Sequence, residues 1–420
     1  MRLIYSIAWW FALPLVLCRL LIRGQQEPGY RQHVGERLGF YRVACKGPTL
    51  WVHAVSVGET RAAQPLIDAM LQTYPQHSIV LTHMTPTGRA TGRALFGNNP
   101  RVIQSYLPYD TSYMVGRFIR HFKPALCVLM ETEVWPNLMA QCAQRHVPVA
   151  LVNARLSARS LEKGLRFPTL FGNAAASLAC VAAQTESDAQ RIEQLGAKNV
   201  HVTGNIKFDV TPSEDMKTKG DALRAQFGGR RVLVCANTRD GEEERILGAM
   251  AALRERDFLL VVVPRHPQRF DEVSRLIDQH GFSHARRSTL GISTLAQDID
   301  VLLGDSMGEM FCYYQACDVA FVGGNLLPLG GHNLIEACVL GKPVLIGPHT
   351  FNFADAATNA IAEGAAMRVA DADELLLQAS ALLQDQSRCQ TMGERASRFA
   401  QQHRGASHRT MALLQALVPN

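Results

Sequence analysis

The strongest constraint in this chain is an alternation. From residue 47 onward, short uninterrupted apolar runs give way repeatedly to stretches with helical spacing. The runs fall at 50–57, 78–82, 125–130, 148–152, 178–183 and 199–203. Between them apolar residues recur at helical intervals, as Leu66, Ile67, Met70 and Leu71 do. Continuous apolar runs suit parallel strands covered on both faces. Strand–helix alternation then predicts an open α/β sheet. Residues 210–220 are polar, contain Pro and Gly and carry no apolar period, so they read as a linker. The alternation restarts at 231–236, 258–263, 299–303, 318–322 and 343–346, and 371–416 reads as two or more helices. A chain of 420 residues also exceeds one ordinary core. Two α/β domains follow, with ligands expected at the carboxyl ends of the strands and the active site in the cleft between the domains.

The formal charge of +6 is concentrated at one end. Within residues 1–50, Arg2, Arg19, Arg23, Arg31, Arg37, Arg42 and Lys46 face only Glu27 and Glu36. A basic cluster beside an apolar stretch fits an anionic membrane surface. Nucleic acid is not expected, because no basic helix or Arg/aromatic ladder occurs elsewhere. Leu3–Cys18 is uncharged and Leu20–Ile22 extends it, barely the length of a spanning helix. A cleaved signal peptide lacks its small-residue cleavage site here. Residues 1–23 therefore read as a membrane anchor, by spanning or by lying in the interface. Positive charge after it predicts a cytoplasmic globular part. The ten Cys show no C-x-x-C spacing and mostly sit in apolar runs, so they read as core residues of a reducing compartment.

Several strand ends carry chemistry. The first run ends in Ser56-Val57-Gly58-Glu59, with a helix expected to follow. Gly58 would permit a tight turn. Glu59 at a helix N-terminus either complements the helix dipole or, kept ionised there, serves as a general base. Run 125–130 leads to Glu131-Thr132-Glu133 before Trp135-Pro136-Asn137; Glu133 could equally be a first-turn acid. In the second half, Arg265 and His266 between Pro264 and Pro267 suit a phosphate or a base, with a structural salt bridge as the alternative. Asp305-Ser306-Met307-Gly308-Glu309 joins a strand to a helix and could offer backbone N–H groups to an anion. Gly330-Gly331-His332-Asn333-Leu334-Ile335-Glu336 opens a helix with Asn333 as N-cap. Glu336 either completes a capping box or binds ribose hydroxyls, and His332 could be a plain loop residue.

Taken in order, Ser56-Val57-Gly58-Glu59, Met84-Thr85-Pro86-Thr87-Gly88, Leu107-Pro108-Tyr109-Asp110, Met130-Glu131-Thr132-Glu133, Asn153-Ala154-Arg155-Leu156-Ser157, Lys207-Phe208-Asp209, Pro264-Arg265-His266-Pro267, Gly331-His332-Asn333 and Pro348-His349-Thr350-Phe351-Asn352-Phe353 closely resemble the Kdo (3-deoxy-D-manno-octulosonic acid) transferases of the lipopolysaccharide inner core. Gly35-Glu36-Arg37 belongs to the same likeness, which spans essentially the whole chain. The resemblance implies a GT-B fold: two Rossmann-like domains with a cleft between them, behind an N-terminal membrane-anchor helix. The domains would be 24–212 for the acceptor and 213–420, with its C-terminal helices, for a CMP-sugar donor. It implies inverting transfer of Kdo from CMP-Kdo to a tetraacyl lipid A precursor at the cytoplasmic face of the inner membrane. No cofactor or metal is implied. Glu59 would be the base, with Glu131 and Lys207 stabilising the transition state. Arg265, His266, Met307, Gly308, Glu309, Asn333, Leu334, Ile335 and Glu336 match CMP-contacting segments. Helix 60–73 and segment 31–46 are the expected acceptor side. Relatives often carry Ser-Thr-His where this chain has Asn237-Thr238-Arg239, which leaves the role of residue 239 open. A UDP-sugar transferase of the same fold, a nucleotide-sugar epimerase and a non-catalytic membrane-surface protein are the alternatives.

Overall fold

A computed structural model describes residues 1–418 apart from 44, 46 and 255. Lys46, counted above in the basic cluster, lies outside the described residues. The chain forms two compact units, one of residues 1–210 with 404–420 and the other of residues 211–403. Among the described residues, each unit contains a seven-stranded sheet whose paired strands are parallel. Both units are Rossmann-like α/β folds of the GT-B type.

The first sheet comprises β1 (Thr49–His53), β2 (Ser78–His83), β3 (Val102–Tyr106), β4 (Pro124–Met130), β5 (Val149–Ala154), β6 (Cys180–Ala183) and β7 (Val200–Val202). Its order is β3-β2-β1-β4-β5-β6-β7. Successive residues of β1 serve opposite faces, as the pleat requires. Leu50 and Val52 join one apolar layer with Leu66, Ile67 and Leu81; Trp51 joins the other with Val80, Phe118 and Leu129. The second sheet comprises β8 (Val232–Thr238), β9 (Leu259–Pro264), β10 (His284–Arg286), β11 (Val301–Leu303), β12 (Val319–Val322), β13 (Val344–Ile346) and β14 (Ala366–Arg368). Its order is β10-β11-β9-β8-β12-β13-β14. Chain direction across the sheet reverses between β1 and β4 in the first unit and between β8 and β12 in the second. Such switch points leave a crevice at the strands' carboxyl ends.

Three expectations change. The linker is shorter than 210–220, because residues 214–226 form a helix (Glu214–Gln226). Ser213 caps it, and Lys217–Glu214 and Lys219–Asp215 pairs line its exposed side. Only Gly220 and Leu223 are buried, so the apolar period that marks a helix is missing. The proposed 213–420 domain loses its last helix, Ala406–Gln415, to the first unit. There Met411, Leu414 and Val418 pack into the layer of Leu66 and Ile67. Asp209 accepts hydrogen bonds from the backbone N–H groups of Gly405 and Ser407. Gly58 has no left-handed φ; it lies in the first turn of its helix, where a Cβ would meet only Ser56 Oγ, at 4.0 Å.

The N-terminal helix runs unbroken from Arg2 to Gln26 through Pro14 and is long and apolar enough to cross a membrane. It is not a core helix, since almost none of its apolar window is fully buried. One face touches the first unit: Tyr5 Oη donates to Asp110 Oδ2 at 2.9 Å, Ser6 Oγ donates to Asn137 Oδ1 at 2.9 Å, Trp9 stacks near Tyr109, and Leu20 is buried. The opposite face presents Leu3, Ile4, Ile7, Phe11, Leu15 and Ile22, with Phe11 78% exposed. Seven of the ten cysteines are buried and all ten are free thiols, as the sequence suggested.

Candidate active site

At the switch point of the first sheet, β1 ends and Ser56 caps the helix Val57–Thr73. Glu59 occupies the third helical position. Its backbone N–H donates to Ser56 Oγ, and Ser56 Oγ donates to Glu59 Oε1 at 3.1 Å. Glu59 Oε2 accepts from the Val55 N–H at 2.8 Å. This is a capping box shifted by one residue, since the carboxylate reaches the N–H before the N-cap. The dipole-complementing role is real, and it fixes the carboxyl group rather than competing with chemistry. Against expectation, the helix terminus does not hold the carboxyl within its ordinary acidic range. Burial pushes its pKa up to about 7, the Val55 hydrogen bond opposes this, and the charges of Glu131 and Glu133 add to it. A carboxyl titrating near neutrality suits a general base.

The loop around Glu59 is braced by sequence motifs that had no assigned role. Val55 O accepts from the N–H groups of Met84 and Thr85 and from Thr85 Oγ1. Gly88 packs against this carbonyl so closely that a Cβ would lie 3.1 Å from it. Arg37, only 2% exposed, donates through Nη2 to Met84 O at 2.9 Å and stacks on Tyr106. Glu36 pairs with Arg89 and accepts from the Tyr106 N–H. Asp110 caps the helix Pro136–Gln144 by accepting from the Asn137 and Leu138 N–H groups.

Glu131 follows β4 with φ +56°, a left-handed conformation uncommon for a residue with a side chain. It is buried, with Lys207 Nζ at 2.8 Å from Oε1 and Arg155 Nε at 3.0 Å from Oε2. Burial alone would raise its pKa, but the charges of Lys207 and Arg155 outweigh that and hold it below the ordinary carboxylate value. Lys207 arrives from the short helix Ile206–Asp209. The fully buried Asn153 fixes that helix by accepting from the Ile206 N–H at 3.0 Å. The first unit thus brings Glu59, Glu131 and Lys207 to the ends of β1, β4 and β5. Glu133 accepts from Trp135 Nε1 and, by burial, titrates above its ordinary range.

In the second unit, Arg265 and His266 follow β9, the first half-buried and the second exposed. The Arg265 N–H donates to Thr238 O at 2.9 Å. His332 is held near pKa 4 by burial and then by the charges of Arg265, Arg239 and His266, so a neutral imidazole lies within reach of these three basic side chains, which together mark a cationic corner. Arg239, left open by the sequence, belongs to it. Met307 and Gly308 are exposed between β11 and the helix Met310–Ala316, and Glu309 pairs with Arg287 at 3.3 Å and accepts from Ser306 Oγ. The helix after the Gly-Gly loop is short, Ile335–Val339, and starts one residue later than expected. Asn333 Oδ1 accepts from the Ile335 N–H at 3.1 Å, and its Nδ2 reaches Glu336 Oε1 at 3.4 Å. Leu334 and Ile335 are buried in the core and can offer a ligand only their backbone. Among the described residues, no three His, Cys, Asp or Glu side chains converge as metal ligands.

A family model described as 3-deoxy-D-manno-octulosonic-acid transferase (kdotransferase) matches residues 32–210. A relative from Bordetella pertussis, described as a 3-deoxy-D-manno-octulosonic acid transferase, is 43% identical and aligns over 99% of both chains. The chain belongs to the Kdo transferase family. A second member, from Haemophilus influenzae, is 37% identical over 98% of both chains. Among solved structures, a glycosyltransferase from Rickettsia africae shares the fold, with TM-score 0.60 and 13% identity, covering 90% of this chain and all of that one. The chain is therefore a glycosyltransferase of lipopolysaccharide biosynthesis.

Proposed function

We propose that this Kdo transferase moves Kdo from CMP-Kdo to the tetraacyl lipid A precursor, lipid IVA, with inversion and without a metal ion, and that Glu59 is the base. The observation that carries this reading is the fixed Glu59 carboxyl, titrating near 7 at the switch point of the first sheet. In the reaction Glu59 takes the proton from an acceptor hydroxyl. The hydroxyl oxygen attacks the anomeric carbon, and the bond from that carbon to the CMP phosphate oxygen breaks with its electron pair on CMP. Attack opposite the leaving group inverts the centre. Lys207 supplies positive charge for the acid sugar and the departing phosphate, and Glu131 and Arg155 orient it. Arg265, His266 and the backbone N–H groups near Met307–Glu309 and Asn333–Glu336 receive the nucleotide. With basic groups and amides available to the phosphate, a metal ion is not required for its neutralisation.

The N-terminal helix carries the enzyme to its lipid. Its inner face is occupied by the first unit from Tyr5 to Leu20, and its outer face is apolar. That arrangement favours a helix lying in the membrane interface, with Arg19, Arg23 and Arg31 toward anionic headgroups on the cytoplasmic leaflet. Incubation with CMP-Kdo and lipid IVA, followed by mass analysis, tests the whole reading. Wild type should yield Kdo-bearing lipid and CMP. Glu59→Ala should bind CMP and form no product, and normal turnover in that variant would overturn the base assignment.

A further inference from the structure

We infer that Glu242 is a positioning residue of the donor site, fixing through its carboxylate the two loops that meet at the switch point of the second sheet. The inference rests on reading the second unit as the nucleotide-binding one. Glu242 is the first residue of the helix Glu242–Ala252 and is 0% exposed. A buried carboxylate is tolerated only when hydrogen-bond donors replace its water. Here Oε2 accepts from the N–H groups of Arg239 at 2.9 Å and Gly324 at 2.7 Å. Oε1 accepts from Asn325 and Leu326, both at 2.9 Å. One donor belongs to its own loop after β8. The other three belong to the loop after β12, more than eighty residues away, so local helix capping does not explain the arrangement.

Each held residue leads to the cationic corner. Gly324 O accepts from the Gly331 N–H at 2.7 Å, which hangs the Gly-Gly loop from it. Gly324 has φ +78°, and a Cβ there would lie 2.7 Å from the His332 ring. Asn325 Oδ1 accepts from the Gly347 N–H and Asn325 O from the His349 N–H, which sets the Pro348–Phe353 motif. Arg239 starts from a pinned backbone, and the adjacent Thr238 carbonyl holds Arg265. One carboxylate therefore sets the positions of Arg239, Arg265 and His332 together. A glutamine in its place accepts at only one atom and turns an NH2 group toward two N–H donors. The loops must then shift.

The test uses the full-length enzyme, with CMP affinity measured by calorimetry and transfer kinetics measured in parallel. Absence of CMP binding by wild type would overturn the nucleotide reading of this unit itself. Given wild-type binding, Glu242→Gln should weaken CMP, and raise KM for the donor, by about tenfold or more, with kcat at saturating donor changed far less. Glu243→Gln is the control: its carboxylate is equally buried but pairs with Arg269 on the far side of the helix start. It should lower the melting temperature without changing CMP affinity. Equal CMP affinity in Glu242→Gln and wild type would overturn the inference. If Glu242→Gln does not fold, Gly324→Ala decides instead. At φ +78° the alanine strains the loop that Glu242 holds and crowds His332, and unchanged CMP affinity there would overturn the inference as well.

Discussion

At the scale of single residues, the first unit couples two opposite pKa shifts. Glu131 is held ionised by Lys207 and Arg155, and its charge helps raise Glu59. The pH dependence of kcat/KM should therefore show an acidic limb near pH 7, because the base must be deprotonated. Glu131→Gln removes the neighbouring charge, so that limb should move to lower pH while the rate falls through loss of Lys207's anchor. A limb that stays in place would separate the two carboxylates. Glu59 also carries a stability prediction with the opposite sign from most acids. Its native pKa lies above the ordinary 4.5, so protonation stabilises the fold. That contribution is present in full below about 4.5 and is lost as pH rises through about 7. At pH 8 the ionised group is a burden, and Glu59→Gln should raise stability by up to roughly 3 kcal/mol while abolishing transfer. Glutamine can still accept from Val55 and donate to Ser56 Oγ. Melting curves of both proteins at pH 5 and pH 8 check this: the gain should appear only at the higher pH. These couplings were only half legible in the sequence. Ser56 and Glu59 are close enough in the chain to read as a cap. Glu131 and Lys207 are 76 residues apart, and nothing local announces their pairing.

At the scale of elements, the N-terminal helix and the last helix make separate predictions. Phe11 and Leu15 are exposed and touch nothing that holds the first unit together. Phe11→Asp with Leu15→Asp should move the enzyme from the membrane pellet to the soluble fraction with an unchanged melting temperature, since each apolar side chain removed from lipid forfeits about 1.5–3 kcal/mol. A pellet fraction equal to wild type would argue against this face as the contact. Truncation after His403 removes Met411, Leu414 and Val418 from the core and leaves Asp209 without the Gly405 and Ser407 amides. That variant should lose most of its stability, read as a collapsed melting temperature or insolubility. The strand pattern shows why some elements were legible and others not. The central strands are buried on both faces and appear as unbroken apolar runs. The strands without such a run, β3, β10 and β14, are all sheet edges. Most of their residues are only partly buried, so Val102–Tyr106 and His284–Arg286 mix polar with apolar positions. The helix Glu214–Gln226 escaped for a related reason: two buried positions leave no period to count.

At the scale of the molecule, the two units divide the work by residue type. The first holds the titrating carboxyls and Lys207; the second holds the cationic corner and its glycine loops. Hydrogen exchange with and without CMP should show protection at 239–242, 265–266 and 324–336, with the amides of β1–β7 unchanged. Protection centred on the first sheet would assign the nucleotide to the other unit. The route of the chain adds a constraint of a different kind. The first unit begins with Met1 and is completed only by residues 404–420, after the whole second unit has been laid down. During synthesis the N-terminal helix emerges first and can meet the membrane while the unit behind it still lacks its last helix. The short helix bearing Lys207 lacks the Gly405 and Ser407 amides that hold Asp209 until that later segment has been made. A chain interrupted within residues 211–403 therefore lacks the segment that closes the first unit, so the second unit can be complete before the first.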